Sequence, residues 1–141
     1  MKKVLILCTG NSCRSIIAEA LINRYLDNVT AYSSGVKASG KVNQNAKRVL
    51  IENGCWQDSY HSKTLDKVLD KNYDLVVTVC DNAKESCPTF PKESRVIHVG
   101  FSDPDGKDYS EFIKTFNDIK ERLLPIVKKE LITPPTNSLN F

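Results

Sequence analysis

The sequence lacks a long apolar segment at its N-terminus. The apolar run from Val4 to Leu7 is only four residues long, shorter than the core of a secretory signal peptide and far shorter than a membrane span. A dense basic stripe is also missing, because the 20 basic and 17 acidic residues are spread along the chain and give a net charge of +3. We therefore expect a cytoplasmic protein that binds neither membranes nor nucleic acids.

Internal repeats and low-complexity regions are missing too. The 141 residues, of which 40% are hydrophobic, suffice for one compact domain and are too few for two. We assign residues 1–132 to a single α/β catalytic domain. Residues 133–141, which begin with a polar stretch around Pro134-Pro135, are expected to form a flexible tail.

Five cysteines are an odd number for a disulfide framework. In a reducing compartment, cysteines more often serve as catalytic, metal-binding or core residues. Cys13 is expected to pack within a loop, and Cys55 has no assigned role. The neighbours of Cys8, Cys80 and Cys87 in the sequence indicate that these three cysteines have chemical roles.

Strand and helix patterns alternate along the chain. Short apolar or β-branched runs predict strands at residues 3–7, 30–33, 73–79 and 95–99, and helical spacing predicts helices at 15–26, 45–52 and 110–129. Pro125 lies inside the last helical pattern and predicts a kink there or two shorter helices. This order of elements is typical of an α/β domain with a parallel sheet and right-handed crossovers.

The segment from Cys8 to Ser15 follows the first predicted strand and leads into the first helix. Open α/β sheets bind ligands at this position, where loop N–H groups and a helix N-terminus converge on an anion. A thiol in such a ring of donors, near Arg14, is expected to have a pKa below the usual value of ~8.5. Cys8 is therefore predicted to be a thiolate nucleophile at neutral pH.

The other residues of this loop fit the binding of a tetrahedral oxyanion. Arg14 offers bidentate recognition, and Gly10 lets the backbone approach a ligand closely. Ser15 is placed to hydrogen-bond the thiolate, and Asn11 tolerates a left-handed conformation. Ordinary packing of a strand-end cysteine is the alternative, but the strand, the polar loop and the helix agree on a site. The predicted oxyanion-binding residues are Thr9, Gly10, Asn11, Ser12, Cys13, Arg14 and Ser15.

The sequence Cys-Thr-Gly-Asn-Ser-Cys-Arg-Ser at 8–15 resembles the nucleophile loop of two related groups of enzymes. These are the low-molecular-weight protein tyrosine phosphatases and the thioredoxin-coupled arsenate reductases that share their fold. The similarity extends through Tyr32-Ser33-Ser34-Gly35 to the final helix. It implies an α/β three-layer sandwich in which helices flank a four-stranded parallel sheet.

A cysteine that displaces an oxygen needs an acid to protonate the departing group. The segment from Gly100 to Gly106 holds two candidates, Asp103 and Asp105, although both residues also suit an ordinary turn. The resemblance implies that Asp103, the residue before Pro104, is the acid. Phosphatases of this type usually carry an aromatic residue directly after that proline, so Asp105 weakens the case for an aryl-phosphate substrate.

Cys80 and Cys87 follow the third predicted strand, and a phosphatase needs neither. Two thiols near a thiolate nucleophile indicate a relay in which each attacks the sulfur before it. Core packing and a zinc site are the alternatives, but the close ligand pairs and histidines of zinc sites are missing. The spacing of Cys80 and Cys87 relative to Cys8 resembles the redox segment of the arsenate reductases.

The resemblance implies an arsenate reductase that takes its electrons from thioredoxin, without a bound cofactor and as a monomer. A tyrosine phosphatase with a phosphocysteine intermediate is the main rival, and an oxyanion-binding or redox-sensing module is a third hypothesis. Reductases of this type often bind potassium, and Asn11, Glu19 and Ser33 match the positions involved. Thr64 replaces the aspartate expected at the fourth position, so no metal is predicted.

Overall fold

The computed structural model describes residues 1–80 and 94–132. Its strands are β1 (Lys2–Cys8), β2 (Val29–Gly35), β3 (Leu75–Thr78) and β4 (Arg95–His98), and its helices are α1 (Arg14–Tyr25), α2 (Gln44–Glu52) and α3 (Tyr109–Ile132). The strands form one parallel sheet in the order β2-β1-β3-β4. The predicted α/β fold with a four-stranded parallel sheet is confirmed, whereas the predicted tail at 133–141 lies outside the described residues.

The centre of the sheet is covered on both faces. Residues Val4 to Leu7 of β1 are completely buried, and every residue of β3 is buried as well. Because neighbouring side chains of a strand point to opposite faces, such an unbroken buried run needs cover on both sides. Each fully buried Leu, Ile or Val side chain contributes about 1.5–3 kcal/mol of hydrophobic free energy to this core.

Helix α1 is buried almost all round. The eight residues from Ser15 to Ile22 are buried in succession, since the helix packs on the sheet and also against α2 and α3. The exposed face of α1 is therefore narrower than that of a typical amphipathic surface helix. The first turn of α1 is thereby fixed directly behind the loop that follows β1.

Helix α3 runs as one element from Tyr109 to Ile132, with Pro125 inside it. The expectation of two shorter helices is wrong. Leu123 and Val127, on either side of the proline, are both completely buried. Their packing offsets the lost backbone hydrogen bond, which costs about 3 kcal/mol in an isolated helix.

The carboxyl end of β1 lies at the point where the chain changes direction in the sheet. From β1 the chain moves to β2 on one side and returns to β3 on the other. Such switch points are where parallel sheets bind ligands. Within the two described ranges, no helix combines the length and the apolarity needed to cross a membrane.

Candidate active site

The loop after β1 is held from outside by the segment that follows β2. Its carbonyl oxygens at Cys8, Thr9, Gly10 and Ser12 accept hydrogen bonds of 2.9–3.0 Å from the N–H groups of Val36, Lys37, Ser39 and Asn43. The carbonyls are therefore satisfied away from the nucleophile. A loop that presents N–H groups to an anion requires this arrangement.

Asn11 fixes the curvature of the loop. It is completely buried and has a φ of 51°, so the predicted left-handed conformation is confirmed. Its Nδ2 donates to Ser15 Oγ at 2.8 Å and to Ser33 Oγ at 3.0 Å, while its Oδ1 accepts from the Lys63 N–H at 2.9 Å. These three bonds join the loop to α1, to β2 and to the chain beyond α2.

Gly35 brings β2 against this loop more closely than a side chain would allow. A Cβ at this position would lie 2.5 Å from Thr9 O and 3.1 Å from Asn11 Cβ. At Gly10 the protein itself leaves room for a side chain, because a Cβ there would meet only Ser12 Oγ at 3.6 Å. The use of Gly10 for close approach of a ligand stays a prediction, whereas Gly35 is required by the protein itself.

The guanidinium of Arg14 contacts the segment that carries the candidate acids. Its side chain is only 13% exposed, its Nη1 donates to Phe101 O at 3.1 Å, and its Nη2 lies 3.4 Å from Asp103 Oδ2. The Nε atom is buried and has no hydrogen-bond partner among the described residues. A buried guanidinium N–H without a partner is costly in a folded protein and suits a site that an oxyanion fills.

Burial of Cys8 opposes its predicted thiolate form in the site without a ligand. Burial raises the pKa of the Cys8 thiol from 9.0 to about 11. The Arg14 guanidinium and the Thr9 N–H lower this pKa, but Cys80 raises it. Desolvation therefore outweighs the positive charge as long as no ligand is bound, because an isolated thiolate is costly to bury.

Cys80 lies beside the nucleophile. It is buried just beyond the end of β3, and its thiol is in hydrogen-bonding contact with Cys8. The Thr9 hydroxyl is 3.2 Å from Cys80 Sγ. The two thiols are therefore close enough for one to act on the other. Cys87, the third cysteine of the predicted relay, lies outside the described residues.

Of the two candidate acids, Asp103 is the one at the loop. Its Oδ2 faces Arg14, and its Oδ1 accepts the Asp105 N–H at 3.0 Å. The Asp105 carboxylate instead accepts from Asn43 Nδ2 at 2.9 Å. The geometry therefore favours Asp103 as the residue that faces a bound oxyanion.

Ser15 and Cys13 have structural contacts in the loop. Ser15 Oγ, completely buried, accepts from Asn11, so its use toward Cys8 stays a prediction. Cys13 is buried beside Ser12, whose hydroxyl is 3.7 Å from Cys13 Sγ. Burial raises the pKa of the Cys13 thiol to about 12, as for an unreactive packing residue.

The residues that match potassium positions bind one another. Ser33 Oγ donates to Glu19 Oε1 at 2.5 Å and accepts from Asn11. The ammonium of Lys63 acts on Glu19 by lowering its pKa, and the Thr64 hydroxyl donates to Asp66. These residues do not fit a potassium ion. The Lys63 ammonium already interacts with the buried Glu19 carboxylate, and Thr64 offers no negative charge at the fourth position.

Sequence reasoning missed two contacts of the site. Asn43 is the N-cap of α2 and also reaches Ser12 and Asp105, and the backbone carbonyl of Phe101 accepts from Arg14. An N-cap was recognisable, since Asn is among the best capping residues and the predicted helix started two positions later. No sequence feature predicts the contact with the Phe101 carbonyl, because the direction of a backbone oxygen depends on the conformation of the loop.

A buried cysteine at the end of a central strand, a loop that turns its carbonyls outward and an incompletely paired arginine define a cysteine-based enzyme site for tetrahedral oxyanions. The sequence profile of the low molecular weight phosphotyrosine protein phosphatases matches residues 3–132. The chain belongs to this family.

Its relatives have more than one activity. An arsenate reductase of Bacillus cereus is 42% identical over 123 residues, which are 86% of this chain and 91% of that protein. A crystal structure of an arsenate reductase from Archaeoglobus fulgidus superimposes with a TM-score of 0.75 at 35% identity, over 89% of this chain and 98% of the other. A low molecular weight protein tyrosine phosphatase from T. tengcongensis gives 0.77 at 25% identity, over 92% and 99%.

Proposed function

We propose that this protein reduces arsenate to arsenite through Cys8, Cys80 and Cys87, with thioredoxin as the reductant. The observation that carries the proposal is the buried thiol of Cys80 in contact with Cys8. Two of the protein's relatives, at 42% and 35% identity, are arsenate reductases, which supports the choice of substrate. A phosphatase reaction, in which water resolves the cysteine adduct, has no use for a second thiol at this place.

In the first step Cys8 attacks arsenate held by the loop N–H groups and Arg14. The sulfur–arsenic bond forms as an arsenic–oxygen bond breaks, and Asp103 protonates the departing oxygen, which leaves as water. In the overall balance the proton comes from the Cys8 thiol. The raised pKa of Cys8 fits this balance, since a neutral thiol does not repel the arsenate anion and gives up its proton as the sulfur attacks.

In the second step the Cys80 thiolate attacks Cys8 Sγ. The sulfur–arsenic bond breaks, and its electron pair goes to arsenic, which is reduced from As(V) and leaves as arsenite carrying the proton of Cys80. Cys8 and Cys80 are left as a disulfide. The Thr9 hydroxyl, 3.2 Å from Cys80 Sγ, holds the second thiol at the loop and stabilises it when it ionises.

In the third step Cys87 attacks Cys80 and releases Cys8 for another cycle. The Cys80–Cys87 disulfide is then reduced by a dithiol, for which we propose thioredoxin. Two electrons thus pass from the reductant through the two cysteines to arsenic. Cys87 enters the proposal from its position in the sequence alone.

Tyrosine phosphatase activity is the second candidate, because the loop, Arg14 and Asp103 would serve phosphate as well as arsenate. The similarity to a phosphatase of the same fold favours it. Asp105 argues against an aryl phosphate as the main substrate, since a carboxylate that binds Asn43 stands beside the acid. A carboxylate there offers no face for the aromatic ring of such a substrate.

The test is turnover of arsenate with thioredoxin, thioredoxin reductase and NADPH, followed as NADPH oxidation. We expect sustained turnover by the natural chain and by Cys55→Ala, whose cysteine lies outside the site. We expect none from Cys8→Ser, Cys80→Ser or Cys87→Ser. Phosphate-ester hydrolysis by the same proteins should be lost only in Cys8→Ser.

Sustained arsenate turnover by Cys87→Ser would overturn the relay. Hydrolysis of phosphate esters without reduction of arsenate by the natural chain would instead establish the phosphatase reaction.

A further inference from the structure

A closed ring of contacts runs through the Cys8 loop and through the segment at residues 100–106, which we call the acid loop. Arg14 faces Asp103 Oδ2, Asp103 Oδ1 accepts the Asp105 N–H, and Asp105 Oδ1 accepts from Asn43 Nδ2. The Asn43 N–H donates to Ser12 O at 2.9 Å, and Ser12 is two residues from Arg14 in the chain. The ring therefore joins the nucleophile loop to the loop that carries the acid.

Asn43 belongs to three structures at once. Its Oδ1 caps α2 by accepting from the N–H groups of Asn45 at 2.8 Å and Ala46 at 3.2 Å. Its backbone N–H holds the nucleophile loop, and its Nδ2 reaches the acid loop. Capping accounts only for Oδ1, because an aspartate or serine would cap the helix equally well. The Nδ2 donor is the feature that capping leaves unexplained.

Pro104 is a further anchor of the acid loop. Pro104 is buried, but Asp103 and Asp105 on either side of it are exposed. The chain then turns at Gly106, with a φ of 81°, and the Lys107 N–H donates to Pro104 O at 3.0 Å. Pro104 fixes where the loop lies, whereas the direction of the Asp103 side chain depends on the contacts of its two oxygens.

We propose that Asn43 and Asp105 form a clamp that positions Asp103 over the oxyanion loop. Asn43 Nδ2 holds the Asp105 carboxylate, which fixes the Asp105 N–H, and that N–H orients Asp103 through Oδ1. Oδ2 is thereby turned toward Arg14 and the departing oxygen. Both are positioning residues, and this role deepens the proposed function, on which it rests for the use of Asp103 as the acid.

The clamp permits a reciprocal exchange of its two side chains. Asn43→Asp keeps the cap of α2 but replaces the donor by a carboxylate that repels Asp105. Asp105→Asn alone leaves an amide oxygen that still accepts from Asn43. The double variant Asn43→Asp with Asp105→Asn restores a donor and an acceptor in reversed order. Asp70→Asn removes an exposed carboxylate elsewhere and serves as the matched control.

The kinetic test uses arsenate reduction and the hydrolysis of phenyl phosphate and p-nitrophenyl phosphate. For Asn43→Asp we expect kcat/KM to fall about tenfold with arsenate and with phenyl phosphate, because a poorly aligned acid transfers its proton less effectively. With p-nitrophenyl phosphate the loss should stay below about threefold, since p-nitrophenolate leaves without a proton. The double variant should recover to within about threefold of the natural chain.

A measurement without turnover complements the rates. The NMR signal of the Asp105 amide proton, which donates to Asp103, should shift and lose protection from exchange in Asn43→Asp and should recover in the double variant. Equal losses for both esters, or no recovery in the double variant, would overturn the clamp. If the natural chain hydrolyses the esters but does not reduce arsenate, the proposed function fails while the ester series still decides the clamp. If it turns over none of the three, the proposed function fails and the amide signal decides whether the clamp exists.

Discussion

The hydroxyl of Thr9 lies 3.2 Å from the sulfur of Cys80, so the residue that follows the nucleophile holds the second thiol. The contact spans 71 positions of sequence and joins the ends of two neighbouring strands, β1 and β3. It places Cys80 beside the loop that begins with Cys8. The first exchange of the proposed relay therefore needs no large movement of these two thiols.

The contact between the two thiols predicts a change in the acidity of Cys8. Because Cys80 raises the pKa of Cys8, Cys80→Ser is expected to lower it from about 11, and Arg14→Lys should not lower it in the same way. The measurement is the pH dependence of iodoacetamide alkylation at Cys8, with the modified residue mapped by mass spectrometry. An unchanged profile in Cys80→Ser would contradict the contact.

Arg14→Lys tests the recognition of the oxyanion. Lysine keeps the charge but loses the bidentate fork and the buried Nε donor, so kcat/KM for arsenate is expected to fall about 100-fold. Arg122→Lys is the matched control, because Arg122 is half exposed and also donates to the acid loop, at Gly100 O. Equal activity of the two variants would show that Arg14 acts only as a positive charge.

Gly35→Ala is expected to destabilise the fold by about 2 kcal/mol, because the new Cβ would meet the backbone oxygen of Thr9. The Cβ of Gly10→Ala has space, so its free energy of unfolding should lie within about 1 kcal/mol of that of the natural chain. The same variant should weaken arsenate binding if the ligand approaches the backbone at residue 10. Urea unfolding measures both variants, and protection of Cys8 from alkylation measures binding. The reverse order of stabilities would contradict the described packing.

Glu19 predicts a dependence of stability on pH. Burial raises the pKa of Glu19 from 4.5 to about 7 in the folded chain. Between these values unfolding releases a proton, so the free energy of unfolding falls as the pH rises, by about 3 kcal/mol in total. Glu19→Gln removes this effect and should gain stability relative to the natural chain from pH 4.5 to pH 7.

Denaturant unfolding at several pH values measures this trend, with Glu121→Gln as an exposed control. A constant difference between the natural chain and Glu19→Gln across the range would show that Glu19 is ionised in the fold.

The sequence was sufficient for the order of strands and helices and for the residues of the nucleophile loop. Continuous apolar runs such as Val4 to Leu7 and a polar loop before α1 are local signals. Element ends were less accurate: β3 covers Leu75–Thr78 rather than 73–79, and the 3-10 turn at Leu65–Lys67 was not predicted. Hydrogen bonds across the sheet decide such boundaries, and they depend on neighbours distant in sequence.

The sequence-based expectation of a Cys8 thiolate did not take burial into account. The presence of Arg14 and a helix N-terminus argued for a thiolate, whereas the degree of burial and the position of Cys80 argue for a thiol. Burial and position are properties of the packed fold, and a sequence pattern does not express them. The Asn43 to Asp105 contact escaped prediction for the same reason, since it links loops 62 positions apart.

The most direct test of the proposed relay is the mass of the cysteine peptides after a single arsenate turnover without reductant. We expect a disulfide between Cys80 and Cys87 in the natural chain, and a disulfide between Cys8 and Cys80 in Cys87→Ser. One arsenite should be released for each disulfide formed. Arsenite release with Cys80 recovered as a free thiol would contradict the relay.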